Sequence, residues 1–326
     1  MKKEIKLYKS KDFNELLNDC TEFIRQSFVV YSKAFLFIVA PPLLLIMLVD
    51  VYLVGNIIGD FKTGFLTGSG FDANIWRKMA KVYAVVLPSA LLFMVLIMLQ
   101  TTLIFNYAVL YENAEDPSQI TVADIWERIK DTFGRVLWSY VFLTIVGFLA
   151  ALLVMLVFAG MTMVLGPLVF LAFFALMGVV IYLAVSYSFY IIVRIKEDVS
   201  PMEALGRCNR LIRGHWWRTF GVLFVASIVV FAFRLVLLTP LSAISTVDSL
   251  HRVTQPSSLS FGSGYMLGIT EAVSQALYLY FSAIVSMCVV VLYYSLSEEK
   301  DNISLLDEIN TIGENTDQTA GQEGEY

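Results

Sequence analysis

A short basic segment holds the residues best suited to binding chemistry. Its members are Arg207, Arg210, Arg213, Trp216, Trp217 and Arg218. Guanidinium groups bind phosphate and carboxylate oxygens, and tryptophan is enriched where lipid meets water. We therefore predict that this basic segment binds membrane lipid or a protein partner. Two other interpretations stay open: a connector whose arginines only set membrane orientation, or a packed element that couples neighbouring helices.

Three further charged residues fall inside or beside long apolar runs, where charges are costly and often functional. They are Asp50, Arg234 and Glu271. Spacing along helices places all of them near the outer surface of a membrane. We expect each one to lie at the interface and to reach water alone. The alternative is a cluster of outer charges between the first, fifth and sixth spans.

Catalytic and metal-binding patterns are not evident. The two histidines, His215 and His251, are predicted on opposite sides of the membrane, and three scattered cysteines are expected to be free thiols. No phosphate-binding fingerprint occurs, and the basic residues do not alternate with stacking aromatics as they do in nucleic-acid-binding proteins. We predict no catalytic set, no metal, no cofactor and no nucleic-acid partner.

The composition is that of a multi-pass membrane protein. Of 326 residues, 58% are hydrophobic and only 16% are charged. A spanning helix needs about 20 apolar residues. Six runs meet that length, at about 29–56, 82–110, 136–159, 163–193, 217–241 and 266–295. The predicted fold class is all-α, with six transmembrane helices, and prolines at Pro41-Pro42, Pro88 and Pro167 should distort the spans that contain them.

Lysine and arginine placement predicts the orientation. With a cytoplasmic N-terminus, 17 of the 23 basic residues fall inside and 6 outside. Both termini are therefore predicted in the cytoplasm. Five tyrosines approach the inner ends of the spans, as an aromatic belt would: Tyr182, Tyr187, Tyr190, Tyr293 and Tyr294.

A threefold repeat is predicted from three capped segments. Asp12, Thr121 and Ser200 each have a carboxylate three positions on, as in a capping box. Each cap starts an apolar face at helical spacing, which predicts amphipathic surface helices over 13–25, 122–133 and 201–213. The units of surface helix, span and span cover about 12–111, 121–195 and 200–297. The predicted single membrane domain covers 1–313 and ends in a short helix over 304–313. A disordered acidic tail is predicted over 314–326.

One resemblance rests on two stretches. Glu197 to Leu205, and Arg213-Gly214-His215-Trp216-Trp217-Arg218 with the residues after it, resemble a cytoplasmic segment before the fifth span of six-span bacterial membrane proteins. That group includes the membrane domain of some glycerophosphoryl diester phosphodiesterases. Tyr293 to Leu296, followed by Leu305 to Ile309, is similar to their exit from the last span. The phosphodiesterase catalytic domain is not in this sequence, so the resemblance implies a six-span architecture in bacteria and lipid surroundings, and no catalytic residue.

These observations favour a non-enzymatic protein of the bacterial cytoplasmic membrane that organises or regulates partners or lipids at its cytoplasmic face. Its expected partners are membrane lipids and membrane or cytoplasmic proteins. The repeat and the distorted spans favour a second function, a lipid or small-solute transporter. An intramembrane enzyme is the least favoured, because no catalytic set is visible. The sequence predicts no substrate and no oligomeric state.

Overall fold

The computed structural model describes residues 12–53, 75–114, 116–165, 169–254 and 263–302. Within those ranges the chain is helical and contains no strand. The helices are α1 (Phe13–Ala34), α2 (Ala40–Leu53), α3 (Ile75–Asn113), α4 (Val122–Leu165), α5 (Val169–Ser186), α6 (Tyr190–Lys196), α7 (Pro201–Ile212), α8 (Trp216–Thr254) and α9 (Ser263–Asp301). Pro167, the predicted helix over 304–313 and the tail lie outside the described residues.

Six helical segments are long and apolar enough to cross a membrane. They are Phe13–Tyr52, Val86–Asn113, Val122–Phe158, Phe173–Lys196, Trp216–Ile244 and Gly268–Asp301. Each one overlaps one predicted span in the predicted order. The all-α, six-span prediction is therefore confirmed, and the protein is a multi-pass membrane protein. The helices extend well past the minimum length for a bilayer, which requires tilt or extension into the interfaces.

The first span changes helix type at its prolines. A π-helical turn over Phe35–Val39 joins α1 to α2 directly before Pro41-Pro42. Proline has no N–H and its ring crowds the carbonyl four residues earlier, so the wider turn relieves that crowding without ending the helix. The predicted local distortion is therefore present here. At Pro88, α3 continues without a break.

Helix α9 lies at the centre of the bundle. It packs against α8, α2, α3, α1 and α7. Its last turns carry Tyr293 and Tyr294, which are among the largest fully buried side chains in the protein. Helix α4, in contrast, has no buried residue in its most apolar stretch. Apolar side chains exposed along a spanning helix face lipid, so α4 lies at the edge of the bundle.

The three predicted surface segments are all helical, but they are built differently. Only α7 is a separate helix, because Gly214, at φ +89°, ends it before the fifth span begins. The segment 13–25 runs through α1 towards α2, and the segment 122–133 is the start of an unbroken α4. No left-handed residue interrupts those two segments, so each continues directly into its span.

Equivalent positions of the three segments are nevertheless buried. The fourth position after each cap is Leu16, Ile125 or Ala204, and the eighth is Cys20, Ile129 or Cys208; all six are buried. The caps differ more. Ser200 and Glu203 form a complete capping box, and Thr121 and Asp124 exchange bonds in the same way. Asp12, in contrast, makes no side-chain cap bond to its helix.

Ser200→Ala should destabilise the protein by about 1 kcal/mol, because it removes the bond that the Ser200 hydroxyl accepts from the Glu203 amide. Thermal unfolding in detergent measures this. Asp12→Ala is the matched control and should change the melting temperature far less. Equal losses at the two caps would contradict the assignment.

Candidate functional site

The ends of several helices meet in a network of ion pairs, here named the charged end. Its centre is Arg207 of α7, which is only 9% exposed. Its Nε lies 3.0 Å from Glu197 Oε1, and its two terminal nitrogens bind the two oxygens of Asp301. Tyr293 donates its hydroxyl to the same Glu197 oxygen, at 2.8 Å. Arg207 therefore joins α7 to the end of α9 and to the segment after α6.

A second group of the charged end ties α3 to α6 and α9. The Lys196 ammonium binds Glu112 and lies 4.3 Å from the centre of the Tyr294 ring. Tyr294 donates its hydroxyl to Glu112 at 2.7 Å. The adjacent tyrosines of α9 therefore donate to different carboxylates, and each carboxylate also has a basic partner.

The third group joins the turn before α8 to the end of α9. Arg218 binds Glu299, and His215 Nε2 lies 3.4 Å from the same carboxylate. Lys300 donates to the Arg213 carbonyl at 3.0 Å. Burial lowers the pKa of His215, although Glu299 opposes that shift. These contacts fix the position at which the fifth span begins.

The pKa values of Arg207 and Cys208 are both shifted by burial on the inner side of α7. Burial lowers the pKa of Arg207, but hydrogen bonds to Asp301 and Glu197 outweigh it and hold the pKa above its ordinary value. Burial raises the pKa of the Cys208 thiol to about 12. A thiolate is needed for nucleophilic attack, so Cys208 behaves as an apolar residue at neutral pH.

The basic segment is thus divided between two environments. Arg207 and Arg218 bind carboxylates of the same chain, whereas Arg210 and Arg213 are exposed. A helix turns by about 100° per residue, so a three-residue spacing drifts by about 60° at each step. That drift brings Arg207 to the buried side of α7, contrary to the prediction that the arginines act together.

The two tryptophans also differ. Trp216 is half-buried and stacks on Phe220 and Tyr182, with ring centres 5.2 and 5.7 Å away. Trp217 is 77% exposed. Arg210, Arg213 and Trp217 are therefore the members of the basic segment that remain available to a ligand.

The predicted outer charges lie at the other end of the bundle, here named the far end. Asp50 is 1% exposed, so the expectation that it reaches water is wrong. It follows Val39, Leu43 and Ile46 on the buried face of α2, which carries it into the bundle. Glu271 is exposed, and its charge is close enough to act on Asp50.

Arg234 does not form the alternative cluster of outer charges with Asp50 and Glu271. Its terminal nitrogen donates to Ser274 Oγ at 2.7 Å, and its guanidinium lies 5.8 Å from the centre of the Tyr278 ring. Arg234 therefore joins α8 to α9. Glu271 therefore lies near Asp50 without a recorded contact, and Arg234 has neutral partners.

The acids and tyrosines of the charged end were missed by the sequence analysis. Tyr190, Tyr293 and Tyr294 were predicted to form an aromatic belt, but all three are buried within the bundle. One signal was present: Glu112, Lys196 and Glu197 directly follow apolar runs, where an unpaired charge is costly. Which of these charges pair depends on helix packing, which the sequence does not give.

An apolar groove of about 590 Å³ lies between α1, α8 and α9. Leu17, Phe28, Val225 and Met287 are among its lining residues. The polar groups in its wall bond within the protein, since Tyr31 donates to the Tyr280 carbonyl at 3.1 Å. The groove therefore suits an apolar ligand.

No group of three metal-binding side chains occurs in the part of the chain that the structure describes. The side chain of His251 lies outside that part. Comparison of the chain with protein-family models, with curated proteins and with solved structures gave no match. The functional argument therefore depends on the geometry of the charged end, the groove and the far end.

Proposed function

We propose that the protein is a non-enzymatic component of the bacterial cytoplasmic membrane that binds anionic lipid at its cytoplasmic face and organises partners there. The observation that supports this proposal most is the division of the basic segment. Arg207 and Arg218 are used inside the protein, and Arg210 and Arg213 are left exposed beside Trp217. The charged end is the cytoplasmic end in this proposal, as the basic residues predict.

The exposed side of α7 has the chemistry of a lipid interface. Met202 is 70% exposed and lies at helical spacing from Arg210 and Arg213. Trp217 continues this surface after the turn. An apolar and aromatic surface with guanidinium groups suits the boundary between acyl chains and anionic headgroups. The ion pairs of Arg207 and Arg218 hold this corner in place, so the exposed arginines are presented in a fixed orientation.

The threefold repeat belongs to the same proposal. Three helix starts bury equivalent side chains at the charged end, and two of the three carry a formed capping box. Repeated units would place three amphipathic segments at one membrane surface. Of these, α7 is the one that stands apart from its span, so we assign lipid binding to it.

Replacing both Arg210 and Arg213 with glutamine should weaken binding of phosphatidylglycerol by roughly 30-fold. Each basic residue near an anionic membrane surface contributes about 1 kcal/mol, and about 2 kcal/mol in total corresponds to roughly that factor. Native mass spectrometry of the purified protein, titrated with phosphatidylglycerol, gives the affinity. Added salt should reduce the wild-type affinity in the same direction.

The matched control removes two other exposed basic residues, Arg25 and Lys130, in the variant Arg25→Gln/Lys130→Gln. It should retain most of the affinity. If both double variants bind alike, the arginines of α7 only set membrane orientation. If lipid binding is unchanged but the Arg210/Arg213 variant loses a co-purifying protein, the surface binds a partner and not lipid.

A lipid transporter is the second candidate, and the groove between α1, α8 and α9 is the observation that favours it. Its apolar wall suits an acyl chain. At its edge the Phe13 ring packs on α8, 3.0 Å from the position of a Cβ at Gly221. Vesicles containing the protein that exchange labelled lipid between leaflets no faster than empty vesicles would exclude this candidate.

A further inference from the structure

The carboxylate of Asp50 is buried inside the bundle, and the proposed lipid-binding surface of α7 does not explain why. Asp50 is more deeply buried than most apolar residues of the same span, and it lies on the face of α2 that packs on α9. Ionisable side chains inside membrane spans are costly, so they persist where they bind or transfer something.

Close packing of α2 on α9 brings polar groups to Asp50. Gly268 of α9 contacts the Val51 backbone so closely that a Cβ there would lie 2.8 Å from the Val51 carbonyl oxygen. Glu271 and Gln275 follow Gly268 at helical spacing, on the same face. Gln275 and Ser89 of α3 therefore lie beside the Asp50 carboxyl, and Glu271 lies near it.

The buried oxygens at this point lack hydrogen bonds of good geometry. Among the described residues, neither oxygen of Asp50 has a hydrogen-bond partner, and the buried Gln275 Oε1 has none either. Ser89 lies close but donates its hydroxyl to the Val86 carbonyl at 3.1 Å. Arg234, a described basic residue at this end of the bundle, donates to Ser274. Two buried oxygens of Asp50 and one of Gln275 therefore lie close together without a well-formed hydrogen bond, although the Gln275 amide and the Ser89 hydroxyl are near enough to donate weakly to Asp50.

We propose that Asp50 and Gln275 form a binding site for a small monovalent cation, either a proton or an alkali metal ion. A positive charge satisfies all three acceptors and compensates the buried carboxylate. The site holds one buried carboxylate, whose single negative charge one monovalent cation compensates, whereas a divalent ion would leave a buried positive charge. Glu271, exposed beside the site, attracts cations towards it. This site is separate from the lipid surface, so either proposal can fail alone.

Thermal unfolding of the full-length protein in detergent tests the proposal. The probes are NaCl, KCl and LiCl at constant pH, each compared with choline chloride at the same ionic strength. A second series varies the pH in choline chloride alone. A bound cation stabilises the folded state, and we expect the melting temperature to rise by about 2–4 °C with the bound species. A response to one metal ion identifies that ion, and a response to pH alone identifies the proton.

Asp50→Asn should abolish this response, because the neutral amide has the same shape and supplies its own donor. It should also unfold at a higher temperature than the wild type in choline chloride. The exposed control, Asp131→Asn, should respond as the wild type does. Gln275→Met, which removes the other acceptor, should weaken the response, and it replaces Asp50→Asn if that variant does not fold. Equal responses in the wild type and in the Asp50 or Gln275 variant would overturn the proposal.

Discussion

Arg207→Gln is expected to destabilise the protein by about 2–3 kcal/mol. The substitution removes the guanidinium group that both Glu197 and Asp301 bind, and breaking a buried ion pair from one side costs about 3–5 kcal/mol. Both carboxylates are partly exposed, and water screens the lost charge, which places the expected loss below that range. Thermal unfolding in detergent measures it as a lower melting temperature.

The control is Arg210→Gln, three residues along the same helix. Arg210 is exposed, so its loss should change stability by less than about 0.5 kcal/mol. Adding Asp301→Asn to Arg207→Gln should cost less than the sum of the two single changes, because one interaction is removed in both. A cost at position 207 no larger than the cost at position 210 would show that the buried network contributes nothing.

Gly268→Ala should destabilise the protein by about 1–3 kcal/mol. Alanine in a helix is normally favoured over glycine by up to about 1 kcal/mol. Here its methyl group would lie 2.8 Å from the Val51 carbonyl oxygen and 2.9 Å from the Val51 Cα. Backbone atoms do not move aside as a flexible side chain does, so α2 and α9 must separate.

Gly147→Ala in α4 is the matched control. A Cβ at Gly147 meets nothing within 4 Å, so this change should be neutral or slightly stabilising. The variants Gly268→Ala and Gly147→Ala also test the proposed cation site at the far end. If Gly268 positions Gln275 against Asp50, Gly268→Ala should weaken the cation response as well, and Gly147→Ala should not. A Gly268→Ala variant as stable as the wild type would contradict the close packing of these helices.

Local features followed directly from the sequence. The apolar runs are long enough to identify the six spans found among the described residues. The capped start of α7 was predicted at Ser200 with the carboxylate three positions on, Glu203, where local bonds decide the structure. These features depend on neighbouring residues only, which is why a sequence is sufficient to predict them.

The partners of charged side chains depend on packing between distant segments. Arg207 meets Asp301, 94 positions later, and Tyr294 meets Glu112 across 182 positions. Because residues three positions apart differ in direction by about 60° around a helix, Arg207 faces inward while Arg210 and Arg213 are exposed. Asp50 was placed near the end of its span, but the sequence did not show that α9 would pack against it. Gly268, which allows that cover, is one of 19 glycines in the chain and has no signal of its own.

A structure of the full-length protein in lipid nanodiscs containing phosphatidylglycerol and phosphatidylcholine tests the central claim most directly. The account predicts an ordered anionic headgroup in contact with Arg210 and Arg213, with Trp217 at the same depth and Arg207 still bound to Glu197 and Asp301. A headgroup held by Arg207 in place of those carboxylates, or an α7 surface without lipid that lies away from the membrane, would contradict it.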